Sequence, residues 1–156
     1  MKVVDLIQKI ELFIDIPFVD FKIEKRIFLN DNGRKLYNET IRDKVQKRNW
    51  VYIWVNSDLN EVVYIGMAGK IKSDGNTSKH SLQNRLLAPR GRDKVTKKDI
   101  QTNDFVSNYM ISNRIESLIF YILYTKENEP PAFVESVLLY EFHKENNRLP
   151  QLNKSF

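Results

Sequence analysis

Two tyrosines set into neighbouring β-like runs are the first residues in this 156-residue chain whose types and spacing suggest chemistry. In residues 50–70, WVYIWVNSDLNEVVYIGMAGK, the runs 51–55 and 62–65 are rich in β-branched and aromatic residues and flank the polar loop 56–60, which is the pattern of a β-hairpin. Paired symmetrically about Asp58, the runs set Tyr52 opposite Tyr64, Ile53 opposite Val63 and Val51 opposite Ile65. Alternation then makes one face aliphatic, from Val51, Ile53, Val55, Val63 and Ile65, and brings two phenolic hydroxyls out side by side on the other. Directly after the hairpin, residues 70–98 hold nine Lys or Arg against Asp74 and Asp93, a local +7 in a chain of net charge +5, so the remainder sums to about −2. A proton-handling pair beside a concentrated cationic segment suits an anionic partner.

The flanking elements must position that hairpin. Val3, Ile7, Ile10 and Ile14 recur at helical spacing ahead of Pro17, and Val19, Phe21 and Ile23 alternate with Asp20, Lys22 and Glu24 as in a half-buried strand. The run Asn30-Asp31-Asn32-Gly33 reads as a turn or cap. Residues 34–48 read as a helix with Tyr37, Ile41 and Val45 on one side and basic residues elsewhere, a solvated face or a DNA-contacting accessory. Beyond the hairpin, residues 72–79 form a polar loop, and Ser78 or Ser81 is placed to cap a short helix through Leu82, Leu86 and Leu87 that Pro89 stops. Residues 90–98 read as a basic, mobile segment, and Asn103 or Asp104 as the cap of a helix through Phe105, Tyr109 and Met110. Residues 115–124 are apolar on both alternations, as in a central strand covered on both faces. A helix over 131–146 follows, opened by proline in its first turn and turning Val134, Val137, Leu138 and Phe142 inward. The tail 148–156 is too short for another element.

The whole predicts an α+β fold, a small central antiparallel sheet of at least three strands flanked by helices. Residues 1–48 are expected to form an N-terminal extension, of a helix, a strand-like segment and a basic helix, packed on or accessory to the domain of residues 49–156. With no cysteine, disulfides, thiolate zinc sites and cysteine nucleophiles are excluded. His80 and His143 have no metal-ligand spacing, and there is no phosphate-binding or dinucleotide glycine pattern, so nothing calls for an organic cofactor. No apolar run reaches membrane-spanning length and the N-terminus has no signal-peptide core, which predicts a soluble, cytoplasmic protein.

The hairpin resembles the signature of the GIY-YIG nuclease family. Val51-Tyr52-Ile53 stands where that family has its first tripeptide, departing from it at Val51, and Tyr64-Ile65-Gly66 matches the second outright. The order of later residues agrees with the family's arginine helix (SLQNRL, Arg85), glutamate helix (AFVESVLLYEF, Glu135) and closing asparagine (LPQLNKSF, Asn153). The likeness runs over about residues 49–156. It implies a metal-dependent endonuclease that hydrolyses phosphodiester bonds in DNA, double-stranded by expectation, with Tyr52, Tyr64, Arg85, Glu135 and Asn153 as the site. A catalytically silent nucleic-acid-binding module of the same fold is the alternative.

Each implied role has a physical basis. Glu135 is a natural ligand for Mg²⁺ or Mn²⁺, since such an ion takes one or two protein carboxylates and keeps several waters; the plain reading is a carboxylate near a helix N-terminus. Arg85 offers a planar fork for two phosphate oxygens, or simply lays its stem over Leu82 or Leu86. A phenol ionises near pH 10, so a tyrosine base needs positive charge nearby. We take Tyr52 as that base and Tyr64 as its orienting partner, although residue types alone fit the reverse order. Asn153 is expected to fix the glutamate helix or a neighbouring loop through hydrogen bonds. Lys70 and His80 are candidates for moving protons or holding phosphate. Arg90, Arg92, Lys97 and Lys98 are expected to form a rim tracking the DNA backbone. With no length left for a separate recognition domain, the chain resembles the compact, restriction-type members.

Overall fold

The computed structural model describes residues 2–11, 17–76, 80–126 and 129–155. Ile14, Ser78 and Lys79, which figure in the readings above, lie outside them. Four strands, β1 (Phe18–Glu24), β2 (Val51–Asn56), β3 (Glu61–Met67) and β6 (Ser117–Leu123), form one antiparallel sheet in the order β1-β6-β2-β3. The sheet and its flanking helices make the fold α+β. As its two-sided apolar pattern predicts, β6 is internal; Phe120 pairs with Phe21 of β1 on one side and Trp54 of β2 on the other.

Helices cover both faces. Against one lie α2 (Gly33–Lys44), α3 (Leu82–Leu87) and α4 (Thr102–Ser112), whose Tyr37, Leu86 and Met110 bury themselves with Phe21, Tyr52 and Trp54. Against the other lie α1 (Val3–Glu11) and α5 (Pro131–Asn146), whose Leu6, Val134, Leu138 and Phe142 pack on Val51, Ile53, Val62 and Ile65. Each fully buried aliphatic or aromatic side chain contributes about 1.5–3 kcal/mol. The first 48 residues are part of these layers, because β1 is an edge of the sheet, α1 rests on α5, and α2 shares the core of α3 and α4. Among the described residues no helix is long and apolar enough to cross a membrane.

Local chemistry sets the helix ends. The Ser81 side chain accepts the Asn84 N–H at 3.2 Å, and α3 stops before Pro89. Pro131 occupies the first turn of α5, which closes at Asn147 in the left-handed region. The α2 helix ends at Lys44, short of Arg48, where Gln83 donates to the carbonyls of Val45 (2.7 Å) and Arg42 (3.3 Å). The α4 helix begins at Thr102 with Gln101 as its cap, ahead of the expected Asn103 or Asp104; Thr102 Oγ1 donates to the Ala88 carbonyl at 2.6 Å.

Two expectations are corrected. Residues 90–98 are part of an antiparallel ribbon, β4 (Pro89–Arg92) with β5 (Asp99–Gln101), rather than a mobile segment. The hairpin register also differs, because Tyr52 pairs with Gly66 and Trp54 with Tyr64. The turn is not centred on Asp58. The Asn56 side chain accepts the N–H groups of Asp58 and Leu59, which sets Asn56 opposite Glu61, and a bulge then leaves Val63 as an extra residue. Val62 therefore joins the aliphatic face, and Val63 turns to the aromatic side.

Candidate active site

Strand β3 is an edge of the sheet, and α5 packs against it. Around the end of β3 lies a cleft of about 620 Å³ lined by Tyr64, Lys70, His80, Arg85 and Glu135 together with residues of the β3–α3 connection and of α3 and its C-terminal end. A neighbouring cleft of about 520 Å³ shares Tyr64 and Glu135 and adds Arg90, Arg92 and Asn153. Three chain segments thus converge: the hairpin supplies Tyr64, α3 supplies Arg85 from the aromatic side of the sheet, and α5 supplies Glu135 from the aliphatic side. Lys97 and Lys98 stand apart from both clefts, on the exposed end of the ribbon.

The tyrosines have unequal access. Their rings lie 5.5 Å apart, the Tyr52 ring reaching Tyr64 diagonally across the hairpin. Tyr52 is 1% exposed and lines neither cleft, whereas Tyr64, at 9%, lines both. Burial pushes the Tyr52 hydroxyl above the ordinary tyrosine range; Tyr64 adds to this, partly by a hydrogen bond, while the charges of Arg90 and Arg85 oppose it. Tyr64 therefore faces the cleft, and Tyr52 stands behind it. Gly66 makes room for the pair. A Cβ there would lie 2.5 Å from Cε1 and 2.8 Å from the hydroxyl of Tyr64, and 3.0 Å from Cζ of Tyr52.

Glu135 is half-buried on α5. Loss of water raises its carboxyl above the usual range, against the opposing pull of Arg85 and a hydrogen bond from the Met67 backbone. It is the one carboxylate among the residues lining the two clefts, and no cluster of three acidic or histidine ligands occurs among the described residues. A single carboxylate facing a water-accessible cleft fits a hard divalent ion that keeps most of its own waters. Arg85, in the last turn of α3, is exposed to the same cleft.

Asn153 does form fixing hydrogen bonds, but to strand β3 rather than to the glutamate helix or a neighbouring loop. Its Oδ1 accepts the Ile65 N–H at 2.9 Å and its Nδ2 donates to the Ile65 carbonyl at 2.7 Å, while Leu152 N–H donates to the Val63 carbonyl. The tail thereby pairs with the backbone of the edge strand at the residue between Tyr64 and Gly66.

Arg90 holds a position that sequence reasoning missed. Its guanidinium carbon lies 4.5 Å from the ring centres of Tyr64 and Phe105 and 5.0 Å from that of Trp54. Half-buried among rings, it is a clamp on the aromatic face as well as a wall of the second cleft. The signal lay in aromatics at 54, 64 and 105, residues that only the fold brings together. Compared with known proteins, the chain matches no family model, no curated protein and no solved structure.

Proposed function

We propose that this protein is a metal-dependent DNA endonuclease. The observation that carries the reading is the convergence of Tyr64, Arg85 and Glu135, drawn from three separate elements, on one cleft beside a cationic ribbon. These are residues through which the chain resembles the GIY-YIG nucleases, and the Gly66 and Asn153 contacts support the same strand.

In this reading Arg85 grips two non-bridging oxygens of the scissile phosphate and stays charged as negative charge builds in the transition state. Glu135 would hold Mg²⁺ or Mn²⁺, which when bound would supply charge neutralisation and a more acidic water. Because it is Tyr64 that faces the cleft, Tyr64 takes the proton of the attacking water while passing its own hydroxyl proton on to cleft water. Tyr52, in its dry site, orients the Tyr64 oxygen by their hydrogen bond. Lys70 and His80 border the space in which the leaving oxygen must gain a proton. The compact arrangement fits a restriction-type enzyme.

Incubation with supercoiled plasmid and Mg²⁺ or Mn²⁺, followed by sequencing of product ends, tests the reading. Nicked or linear product with discrete ends is expected. No cutting with either ion, alongside retained DNA binding, would leave a silent nucleic-acid-binding module instead.

A further inference from the structure

The ribbon beside the cleft has features that backbone tracking does not use. Its root is fixed, since Arg90 is clamped by Tyr64, Phe105 and Trp54, and Arg90, Gly91, Arg92 and Ile100 wall the cleft shared with Tyr64 and Glu135. Its far end is a folded turn. Asp93 N–H donates to the Lys98 carbonyl at 2.8 Å and Lys97 N–H to the Asp93 carbonyl at 3.0 Å. The Asp93 carboxylate accepts from the Val95 and Thr96 N–H groups and from Thr96 Oγ1, at 2.9, 2.6 and 2.9 Å.

The acidic residues of the ribbon are thus engaged within it. Asp93 is committed to its turn, and Asp99 pairs with Arg92 at 3.4 Å. Lys94, Lys97 and Lys98 are exposed, and no ion pair among the described residues includes them. At the apex Val95 is 89% exposed, an apolar side chain presented with no packing partner. A pre-shaped, cationic, two-stranded projection with an apolar apex has the form of a groove reader.

We propose that the β4–β5 ribbon enters the major groove of double-helical DNA next to the phosphate held at the cleft. Two strands about 4.8 Å apart, with their side chains, fit a groove about 12 Å wide and are too broad for a minor groove of about 6 Å. Lys94, Lys97 and Lys98 then meet phosphates and base edges, and Val95 meets base surface such as a thymine methyl. This rests on the nuclease reading for the neighbouring cleft, and it names the substrate as a B-form duplex.

The test is equilibrium binding by fluorescence anisotropy, using Glu135→Gln protein to prevent cutting. The probes are a DNA duplex, an RNA duplex of the same length and sequence, and the single DNA strand. A-form RNA carries similar charge, but its major groove is too deep and narrow for side chains to read. The DNA duplex should bind about tenfold or more tighter than the RNA duplex. A variant combining Lys94→Ser, Lys97→Asn and Lys98→Ser should lose that preference and flatten the salt dependence by about 2–3 units of log K against log salt. Asparagine at 97 tolerates the left-handed φ of 58° found there, and an unchanged melting temperature verifies the fold. Val95→Ser should weaken duplex DNA binding while leaving the salt slope unchanged.

Equal binding of the two duplexes, or a variant that keeps both preference and slope, overturns the proposal, as does tighter binding of the single strand. If plasmid is cut but the variant binds as before, the ribbon inference fails and the nuclease reading stands. If ribbon-dependent duplex binding is found without cutting by the wild-type protein, the reverse holds.

Discussion

The two faces of the β2–β3 hairpin are both buried and chemically opposite. On one, Val51, Ile53, Val55, Val62 and Ile65 meet α1 and α5 through aliphatic contact. On the other, Tyr52, Trp54 and Tyr64 stack within 6 Å of one another, with the Arg90 guanidinium over two of them. Aliphatic burial stabilises wherever it occurs and specifies little beyond shape. The aromatic face buries hydroxyls and a charge, which must find partners or lose stability. That investment is concentrated where the face reaches the open edge of β3, next to Arg85 and Glu135. Function and stability should therefore separate across one strand, and substitutions on its two sides can test whether they do.

The largest effect is expected at Glu135. Glu135→Gln should lower plasmid cleavage by about 10³ or more, on the scale of removing a principal transition-state stabiliser. It should also raise stability. Burial holds the folded carboxyl above its unfolded value, so stability from this residue is full below the unfolded glutamate pKa of about 4.3 and is lost as pH rises through the raised folded value. Glutamine does not ionise. The variant should melt above wild type at pH 7, with the gap closing toward pH 4. A variant that melts lower at pH 7 would mean that Glu135 is a structural carboxylate and would erase the contrast.

Next come the phenols. Tyr64→Phe should cut the rate by about 10², the lower range for general base catalysis, with the ring stack intact. Tyr52→Phe should cost less, since its hydroxyl acts only through Tyr64. A larger loss at Tyr52 would restore the order first taken from the sequence. On the aliphatic side, Leu138→Ala should do the converse, destabilising by about 2–5 kcal/mol in denaturant titrations while the rate per folded molecule is unchanged. Gly66→Ala falls between these classes: its methyl would press on both tyrosine rings, costing about 1–3 kcal/mol as an overpacked core and lowering activity as well.

Much of this contrast was legible in residue types. The hairpin runs, the central β6, the Ser81 cap and the proline-opened α5 each carry a local signal, and local signals survive folding. The register was not legible, because it depends on the Asn56 side chain bonding to the turn and on a bulge at Val63, neither of which alternation encodes. Nor was the ribbon: Pro89-Arg90-Gly91-Arg92 has no β-branched residue, and only pairing with Asp99–Gln101 makes it a strand. Arg90 looked like one more basic residue in a charged run because its three aromatic partners come from β2, β3 and α4. For the same reason the sequence does not say how the first 48 residues, read as an extension packed on or accessory to the core, join it: β1 completes the sheet against a strand far along the chain. The cleft was anticipated through Tyr64, Arg85 and Glu135, whereas which phenol faces it followed from burial.

The smallest expected effect belongs to Asn153, and it tests whether the edge of β3 belongs with the site or with the scaffold. Its side-chain amide makes two hydrogen bonds to the Ile65 backbone in a part-buried position, mimicking a neighbouring strand. Each such bond has a net worth of about 0.5–1.5 kcal/mol, and at an edge water can replace part of what is lost. Asn153→Ala should therefore destabilise by about 1–2 kcal/mol and reduce cleavage less than tenfold, because Tyr64 loosens but keeps its cleft position. Protonated Asn153→Asp keeps an acceptor for the Ile65 N–H and offers an O–H to the Ile65 carbonyl, so it should approach wild type at low pH, and it should weaken near neutrality, where ionisation removes that donor and sets a charge against the carbonyl. If alanine instead abolishes cleavage with no loss of stability, Asn153 touches the substrate, and the division between the two faces must be redrawn to include the tail.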